Sequence, residues 1–580
     1  MISWDQVYNK WNTYQHLDQS LKLELDLLRG DDSALEDAFY KDLTFGTGGM
    51  RGVLGPGTNR MNIYTVRKVV NGLASYLFKE KVNVKDRGVV IAYDSRYMSK
   101  EFAIEAAKVL GYYGIKVHVF SSIRPTPLLS FAVRYLGTTA GIMITASHNP
   151  PEYNGLKVYN EDGGQITLQE ADEIIASIQQ TKNELEVPFI KREEAEKKGV
   201  LNWIGNEIDH AYLERLRLIS RMDSKTEQRN KDVEIVFTPL HGTAHDLVPK
   251  GLKQLHFSNL HVVEEQAKAD PEFRTVSSPN PEEHQAFTMA IDLGKQVDAD
   301  ILLATDPDAD RLGVAVKTGD GNYQVLTGNQ LGSLLLDYIL RHSDLNIYQN
   351  PRMVKTVVTT ELGKAIANAY GVETMNTLTG FKYIGEKINR FDSTGETFLF
   401  GFEESYGYLV SGFVRDKDAI QASVMTVEMA YYWKEQGKTL LDALKELYET
   451  YGYYLEGLSS LTVKGKEGIT EIEKIMDGFR QFSNRELAGW KIEKIENYLT
   501  GVCTFTNEER KETIPLPKEN MMKFYLEDQA WICIRPSGTE AKIKYYYGVC
   551  GKSHADSSSK LTELKEAVEE MVDEIRAVRV

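Results

Sequence analysis

Short apolar runs that close on polar loops recur along the chain. Val89, Val90 and Ile91 form one such run, and the pattern predicts a strand over 87–92. A helix over 101–112, a strand over 116–120, a helix over 128–136 and a strand over 141–144 follow. A second block opens with a strand over 233–237 and the turn Thr238-Pro239-Leu240-His241-Gly242-Thr243. It passes through a helix into a strand over 260–263 and later reaches a strand over 301–304. A third runs from a strand over 355–358 through a helix near 362–370 to a strand over 398–400. Strands alternating with helices predict parallel-type α/β layers. Ligand loops in such sheets sit at the carboxyl ends of strands. At the far end, Leu561, Leu564, Val568, Met571 and Ile575 share one face at helical spacing, so the chain closes on a core-packed helix.

The loops behind these strands carry the chemistry. The strand over 141–144 runs into Thr145-Ala146-Ser147-His148-Asn149-Pro150. A serine on a stiff turn is either a group-transfer nucleophile or a residue that bonds its own backbone. The strand over 301–304 runs into Asp306-Pro307-Asp308-Ala309-Asp310-Arg311. Three carboxylates at alternate positions can converge on one hard cation. A calcium EF-hand loop would need glycine and glutamate where Arg311 and Lys317 stand. A metal with few protein ligands and room for a phosphate oxygen fits Mg²⁺ better. The bland alternative is a solvated acidic turn. Arg535-Pro536-Ser537-Gly538-Thr539-Glu540 has the parts of a phosphate cradle, or of an ordinary turn. In Gly401-Phe402-Glu403-Glu404-Ser405-Tyr406-Gly407 the acids could accept hydrogen bonds from sugar hydroxyls, or simply be solvated.

Composition narrows the classes. A chain of 580 residues exceeds one hydrophobic core and implies several domains. The net charge of −16 argues against non-specific nucleic-acid binding. Cys503, Cys533 and Cys550 are odd in number and lack CxxC spacing, which predicts a reduced, cytoplasmic setting and small buried thiols. Residues 1–10 show no basic-then-apolar leader pattern, and no stretch is apolar enough to span a bilayer, so no membrane partner is expected.

TASHNP, DPDADR, the GFEES loop and RPSGTE, in this order, resemble the α-D-phosphohexomutase superfamily, in particular its long phosphoglucomutases. Phe45-Gly46-Thr47-Gly48-Gly49-Met50-Arg51-Gly52 is similar to that family's N-terminal loop, and the resemblance runs from about residue 40 to about 550. It implies an α/β fold of four domains around a central cleft: three similar mixed α/β domains and a smaller C-terminal α+β domain. With the charged run 191–198 near the end of the first domain, residues 326–329 opening the third and 452–457 preceding the fourth, the divisions are 1–205, 206–325, 326–452 and 453–580.

The resemblance also implies roles. Ser147 is the phosphoserine, and Asp306, Asp308 and Asp310 hold one Mg²⁺ with its oxygen. Arg51, His148, Lys157 and Arg311 surround the reacting phosphoryl group. Thr47 and Lys382 join the Glu403 and Ser405 loop in binding the sugar, and Arg535, Ser537, Gly538 and Thr539 grip the non-reacting phosphate. Arg51, Lys157, Arg311 and Arg535 would then form a positive floor in an acidic body. Ala541 stands where the family has proline, which leaves that loop less stiff. The implied reaction interconverts glucose 1-phosphate and glucose 6-phosphate through glucose 1,6-bisphosphate, in a monomer or homodimer. Phosphomannomutase and phosphopentomutase remain alternatives, as do a Mg²⁺-dependent sugar-phosphate phosphatase and a non-enzymatic phosphosensor. The DxDxT pattern of aspartyl-phosphate phosphatases is absent, since Arg311 follows Asp310, which counts against an aspartate nucleophile.

Overall fold

The computed structural model describes residues 3–46, 48–222, 232–463, 468–482, 484–487, 489–508, 510–537 and 541–577. The chain divides into two units, one of residues 1–331, 341–352 and 381–439, the other of 332–340, 353–380 and 440–580.

In the first unit a six-stranded sheet runs Gly49–Val53, Tyr153–Asn160, Ala140–Ile144, Val89–Tyr93, Val117–Phe120, Leu201–Ile204. A five-stranded sheet runs Tyr323–Val325, Leu312–Lys317, Ile301–Thr305, Ile235–Thr238, Leu260–Val262. Both are mixed: the parallel pairing that the strand–helix alternation predicts is present, beside antiparallel pairs. Ala140–Ile144 pairs parallel with Val89–Tyr93 but antiparallel with Tyr153–Asn160. Ile301–Thr305 pairs parallel with Ile235–Thr238 but antiparallel with Leu312–Lys317. Residues 145–152 and 306–311 are too few for a crossover helix, so the chain must return as a hairpin. Thr397–Glu403 likewise turns back antiparallel as Gly407–Leu409. The Ser147, Asp306 and Glu403 loops of this unit are therefore each the tip of a hairpin behind an apolar strand. Ala140–Ile144 and Ile301–Thr305 are buried throughout, as strands covered on both faces must be.

Three N-terminal helices, Trp4–Thr13, Gln19–Leu27 and Asp32–Phe39, gather around Trp11, Leu25, Leu35 and Phe39. The helix Ala419–Lys434 is apolar nearly all round and buried on nearly every side. Asp418 caps it, accepting hydrogen bonds from the Ile420 and Gln421 N–H groups.

The second unit is dominated by an antiparallel sheet. Its order is Tyr453–Thr462, Lys542–Gly551, Trp531–Pro536, Met522–Leu526, Trp490–Asn497, Val502–Phe505, Lys511–Thr513, with Glu486–Leu487 beside Trp490–Asn497. The helices Gly468–Gln481 and His554–Ala577 pack on it. Leu561, Leu564 and Val568 enter that core, with Met571 and Ile575 packed at its margin. One strand is displaced from its predicted place. It spans Pro351–Thr356 instead of 355–358, because a turn intervenes: Thr356 and Thr359 share a 2.8 Å hydroxyl hydrogen bond, and Lys355 Nζ donates to Thr359 O at 2.9 Å.

The fold is thus α/β, with mixed layers followed by a β-rich C-terminal part. Among the described residues, no helix is long and apolar enough to cross a membrane.

Candidate active site

Ser147 sits at the tip of the first hairpin in the left-handed region, at φ 53°. Its N–H donates to Thr145 Oγ1 at 2.8 Å, and Asn149 N–H donates to Ala146 O at 3.1 Å, which curls the tip. The Ser147 hydroxyl donates to Asp306 Oδ2 at 2.6 Å and lies 3.1 Å from His148 Nδ1.

The second hairpin curls around its own first aspartate. Asp306 Oδ1 accepts from the N–H groups of Asp310 and Arg311, both at 3.0 Å, and Ala309 takes φ 54°. This turn brings Asp306, Asp308 and Asp310 to one place. All three are buried, and one carboxylate oxygen from each lies within 4.8 Å of the others.

Three buried carboxylates need positive charge. Lys157 Nζ donates to Asp308 Oδ2 at 2.8 Å and to Asp310 Oδ2 at 3.4 Å. Lys417 Nζ lies 3.2 Å from Asp310 Oδ2 and 3.2 Å from Asp416 Oδ1. Thr126 Oγ1 donates to Asp308 Oδ2 at 2.8 Å. Burial and the adjacent Asp308 and Asp310 charges push the Asp306 carboxyl well above the ordinary range. Burial opposes ionisation of Asp308 as well, but Lys157 and the hydrogen bonds to this carboxylate hold it below the usual range. Burial pulls the Lys157 ammonium down, yet Asp308 and Asp310 more than offset this, and its pKa stands above that of an ordinary lysine. His148 is pulled down to about 2, first by burial and then by the Arg311 and Arg51 charges, so its ring is neutral.

The triad fits a divalent cation. Asp308 Oδ1 and Asp310 Oδ1 are buried oxygens that accept no hydrogen bond, and an all-oxygen donor set suits a hard ion.

Of the residues expected around the phosphoryl group, the structure thus brings Ser147, His148, Lys157 and the three aspartates together. Arg311 follows directly and makes an ion pair with Glu282. Arg51, on Gly49–Val53, donates from Nη1 to Asn149 Oδ1 at 2.6 Å. Glu403 is buried, and with Asp310 and Asp416 it raises the Lys417 pKa against the opposing cost of burial. Ser405 lies half-buried in the turn after it. Lys382 is the second residue of the helix Phe381–Thr394, half-buried, with Nζ 5.0 Å from the Tyr383 ring. In the second unit, Arg535 lies one residue before the end of the strand Trp531–Pro536, with Nε donating to Glu519 Oε1 at 2.6 Å, and Ser537 N–H donates to Lys542 O at 2.7 Å. Thr47, Gly538 and Thr539 lie outside the described residues. Of the residues expected to form a positive floor, Lys157, Arg311 and Arg535 each pair with a carboxylate.

Sequence reasoning missed Lys417 and Thr126. Lys417 belongs to Arg415-Asp416-Lys417-Asp418, four charged residues directly before an apolar helix, and all four are buried. That juxtaposition was the available signal. Gly407 makes room for the Lys417 stem, since a Cβ there would stand 2.2 Å from Lys417 Cδ. Thr126, at the start of a helix, carried no signal of its own.

The comparisons with known proteins agree along most of the chain. Residues 42–185, 210–319 and 327–451 match, in turn, the alpha/beta/alpha domains I, II and III of phosphoglucomutase/phosphomannomutase. The chain is 39% identical over 530 residues to a phosphoglucomutase of Staphylococcus aureus (strain MRSA252), covering 91% of this chain and 93% of that protein. A solved phosphoglucomutase/phosphomannomutase family protein from Burkholderia thailandensis matches 92% of this chain and 98% of its own, with TM-score 0.66 and 17% identity. The open form of pp63/parafusin, a phosphoglucomutase from Paramecium, matches 92% and 95%, with TM-score 0.67 and 17% identity. These two structures speak for the fold.

Proposed function

The chain belongs to the phosphoglucomutase/phosphomannomutase family, and we propose on that premise that it is a phosphoglucomutase, interconverting α-D-glucose 1-phosphate and glucose 6-phosphate. One observation carries the mechanism: the Ser147 hydroxyl bonded to the first of three buried carboxylates whose other members hold two lysines.

In this reading Ser147 carries a phosphoryl group at rest. The sugar O6 attacks phosphorus, the P–Oγ bond breaks, a P–O6 bond forms, and Oγ takes up a proton as the O6 proton leaves. The product is glucose 1,6-bisphosphate, which also serves as activator. After the sugar turns over, Ser147 Oγ attacks the phosphorus at O1: the P–O1 bond breaks, a P–Oγ bond forms, O1 takes up a proton as the Oγ proton leaves, and glucose 6-phosphate departs. Lys157 and Lys417 are held charged, so they stand as electrostatic partners of phosphoryl oxygens. Neutral His148, with Nδ1 3.1 Å from the Ser147 hydroxyl, can hydrogen-bond it and so orient Oγ for the return attack. Asp306, Asp308 and Asp310 would hold one Mg²⁺ together with an oxygen of phosphorylated Ser147. Such an ion neutralises charge on a transferring phosphoryl group.

Arg51 and Arg311 serve the reacting phosphate. Thr47, Lys382, Glu403 and Ser405 serve the sugar, and Arg535, Ser537, Gly538 and Thr539 the other phosphate. The family's domain pattern supports divisions at 1–205, 206–325, 326–452 and 453–580. A cytoplasmic monomer or homodimer acting on a small sugar phosphate completes the reading. The Staphylococcus aureus relatives are named phosphoglucomutase, which favours glucose over the mannose, pentose and phosphatase alternatives.

The test is a panel of 1-phosphates of glucose, mannose, N-acetylglucosamine and ribose, each with a trace of its bisphosphate and Mg²⁺. The highest kcat/KM is expected with glucose 1-phosphate. Release of inorganic phosphate without isomerisation would overturn the mutase reading.

A further inference from the structure

The loop carrying Ser147 presents its backbone carbonyls inward, and one side chain meets them. Arg96 is buried behind that loop. Its Nη2 donates to Ser147 O at 2.6 Å and also to Asn149 O. Its Nη1 donates to Pro150 O at 2.8 Å and to Tyr153 O at 3.1 Å. One guanidinium therefore gathers four carbonyls spread across seven residues of loop. The loop cannot do this itself. Pro150 and Pro151 have no N–H to offer, and Ser147 occupies a left-handed conformation that disfavours a residue with a Cβ.

Arg96 is in turn fixed from three sides. Its Nε lies 3.4 Å from Asp94 Oδ2, and its N–H donates to Asp94 Oδ1 at 3.0 Å. The Phe273 ring stacks on the guanidinium at 4.9 Å. Ser99 Oγ donates to Asp94 Oδ1 at 2.6 Å and accepts from Asn154 Nδ2 at 2.9 Å, and Asn154 stands at the far foot of the same loop. The Arg96 side chain is bound to backbone alone at the loop, so it touches no reacting atom.

We propose that Arg96 is a positioning residue of the mutase: it clamps the carbonyls of residues 147–153 and holds the left-handed Ser147 backbone that aims Oγ at Asp306. The inference rests on the phosphoserine reading above. Planarity is essential to it, because a guanidinium presents donors in a fixed fork, whereas an ammonium presents three on a flexible stem. A reacting atom displaced by about 1 Å loses on the order of a hundredfold in rate.

The test compares wild type, Arg96→Met and Arg96→Lys as full-length proteins with Mg²⁺ and glucose 1,6-bisphosphate. It reads kcat and KM for glucose 1-phosphate, the rate at which intact mass reports phosphate on Ser147, and the thermal midpoint. Arg96→Met is expected to lose about a hundredfold in kcat with KM within about threefold, and to slow Ser147 phosphorylation by the same factor. Arg96→Lys should recover about tenfold of that loss, since its ammonium can meet some of the carbonyls. If Arg96→Met does not fold, the lysine variant decides alone: a lowered kcat at unchanged KM supports the clamp, and wild-type kcat overturns it. A raised KM at wild-type kcat would make Arg96 a substrate-binding group and overturn the proposal. A lowered thermal midpoint at wild-type kcat would leave Arg96 a merely structural residue and overturn the proposal as well. Wild type that never passes phosphate from Ser147 would sink the mutase reading itself, and this inference with it.

Discussion

Gly407→Ala tests whether Lys417 belongs to the reacting centre. The added Cβ would stand 2.2 Å from Lys417 Cδ and 2.9 Å from Cγ. An ordinary carbon contact is at least about 3.4 Å, so the stem must retreat by about 1.2 Å. Lys417 Nζ begins 3.2 Å from both Asp310 Oδ2 and Asp416 Oδ1, and a retreat of that size breaks at least one of these contacts. A lost hydrogen bond to a charged group is worth roughly 1.5–3 kcal/mol. If Lys417 serves the phosphoryl group, this becomes about 10- to 150-fold in kcat/KM, at 1.36 kcal/mol per decade. The assay is conversion of glucose 1-phosphate by Gly407→Ala, by Lys417→Ala and by the double variant. With the lysine stem removed, the new methyl has nothing to strike, so Gly407→Ala should cost less than about threefold in the Lys417→Ala background. Equal losses in both backgrounds would show that the methyl acts through something else. A single variant at wild-type kcat/KM would show that Lys417 is not needed where it stands.

Ser147→Ala removes one small hydroxyl and should abolish turnover while the thermal midpoint stays within about 2 °C, because one hydrogen bond is worth only about 1 kcal/mol; residual mutase activity above a thousandth of wild type would refute the phosphoserine. Arg535→Ala should raise KM for glucose 1-phosphate by an amount equivalent to about 1.5–3 kcal/mol, and unchanged KM and kcat would remove that residue from substrate binding. Exhaustive chelation should stop turnover, and Mg²⁺ should restore it to the apoprotein; full activity in excess chelator would contradict a metal role for the aspartates. Burial pulls the Lys523 pKa down to about 8 from an ordinary lysine value, against the opposing pull of Glu361. A depressed pKa favours the folded state above the unfolded value and loses that support as pH falls through the folded one. The thermal midpoint of wild type minus that of Lys523→Met should therefore rise from pH 8 to about pH 10.5. A flat difference would mean that Lys523 is not desolvated.

The chemistry legible in the sequence was the chemistry concentrated in one loop. Ser147 beside His148, and three aspartates at alternate positions, announce themselves because short spacing brings them together before any tertiary contact forms. The strands in front of them were legible for the same local reason, and so was the stripe of the closing helix. What spacing could not show was the return of the chain as hairpins, which sets antiparallel strands beside the parallel ones. It also hid partners that arrive from afar. Thr126 meets Asp308 across 182 positions, and Arg96 meets Ser147 across 51. The displaced strand at Pro351–Thr356 shows the same limit, because the Thr356–Thr359 bond that ends it competes with an apolar pattern that would have continued it.

Charge clusters proved hardest to read, and two of them show why. Residues 191–198 and 415–418 are both dense in charge. The first forms the short helix Arg192–Lys197, of which only Ala195 is buried, and Arg192 pairs with Glu196 at the surface. The second is buried in full. The difference lies in the helix joined to the second cluster. Ala419–Lys434 is apolar nearly all round, so it has no polar face to turn toward water, and its first turn must be taken into the interior. Charged residues joined to such a helix go in with it, and each then needs a partner. Asp418 takes the helix N–H groups and the Tyr212 hydroxyl at 2.7 Å, Arg415 takes Asp392 at 2.6 Å, and Lys417 takes Asp416 and Asp310. Lys417 thus reaches the aspartate triad because the helix behind it cannot be solvated.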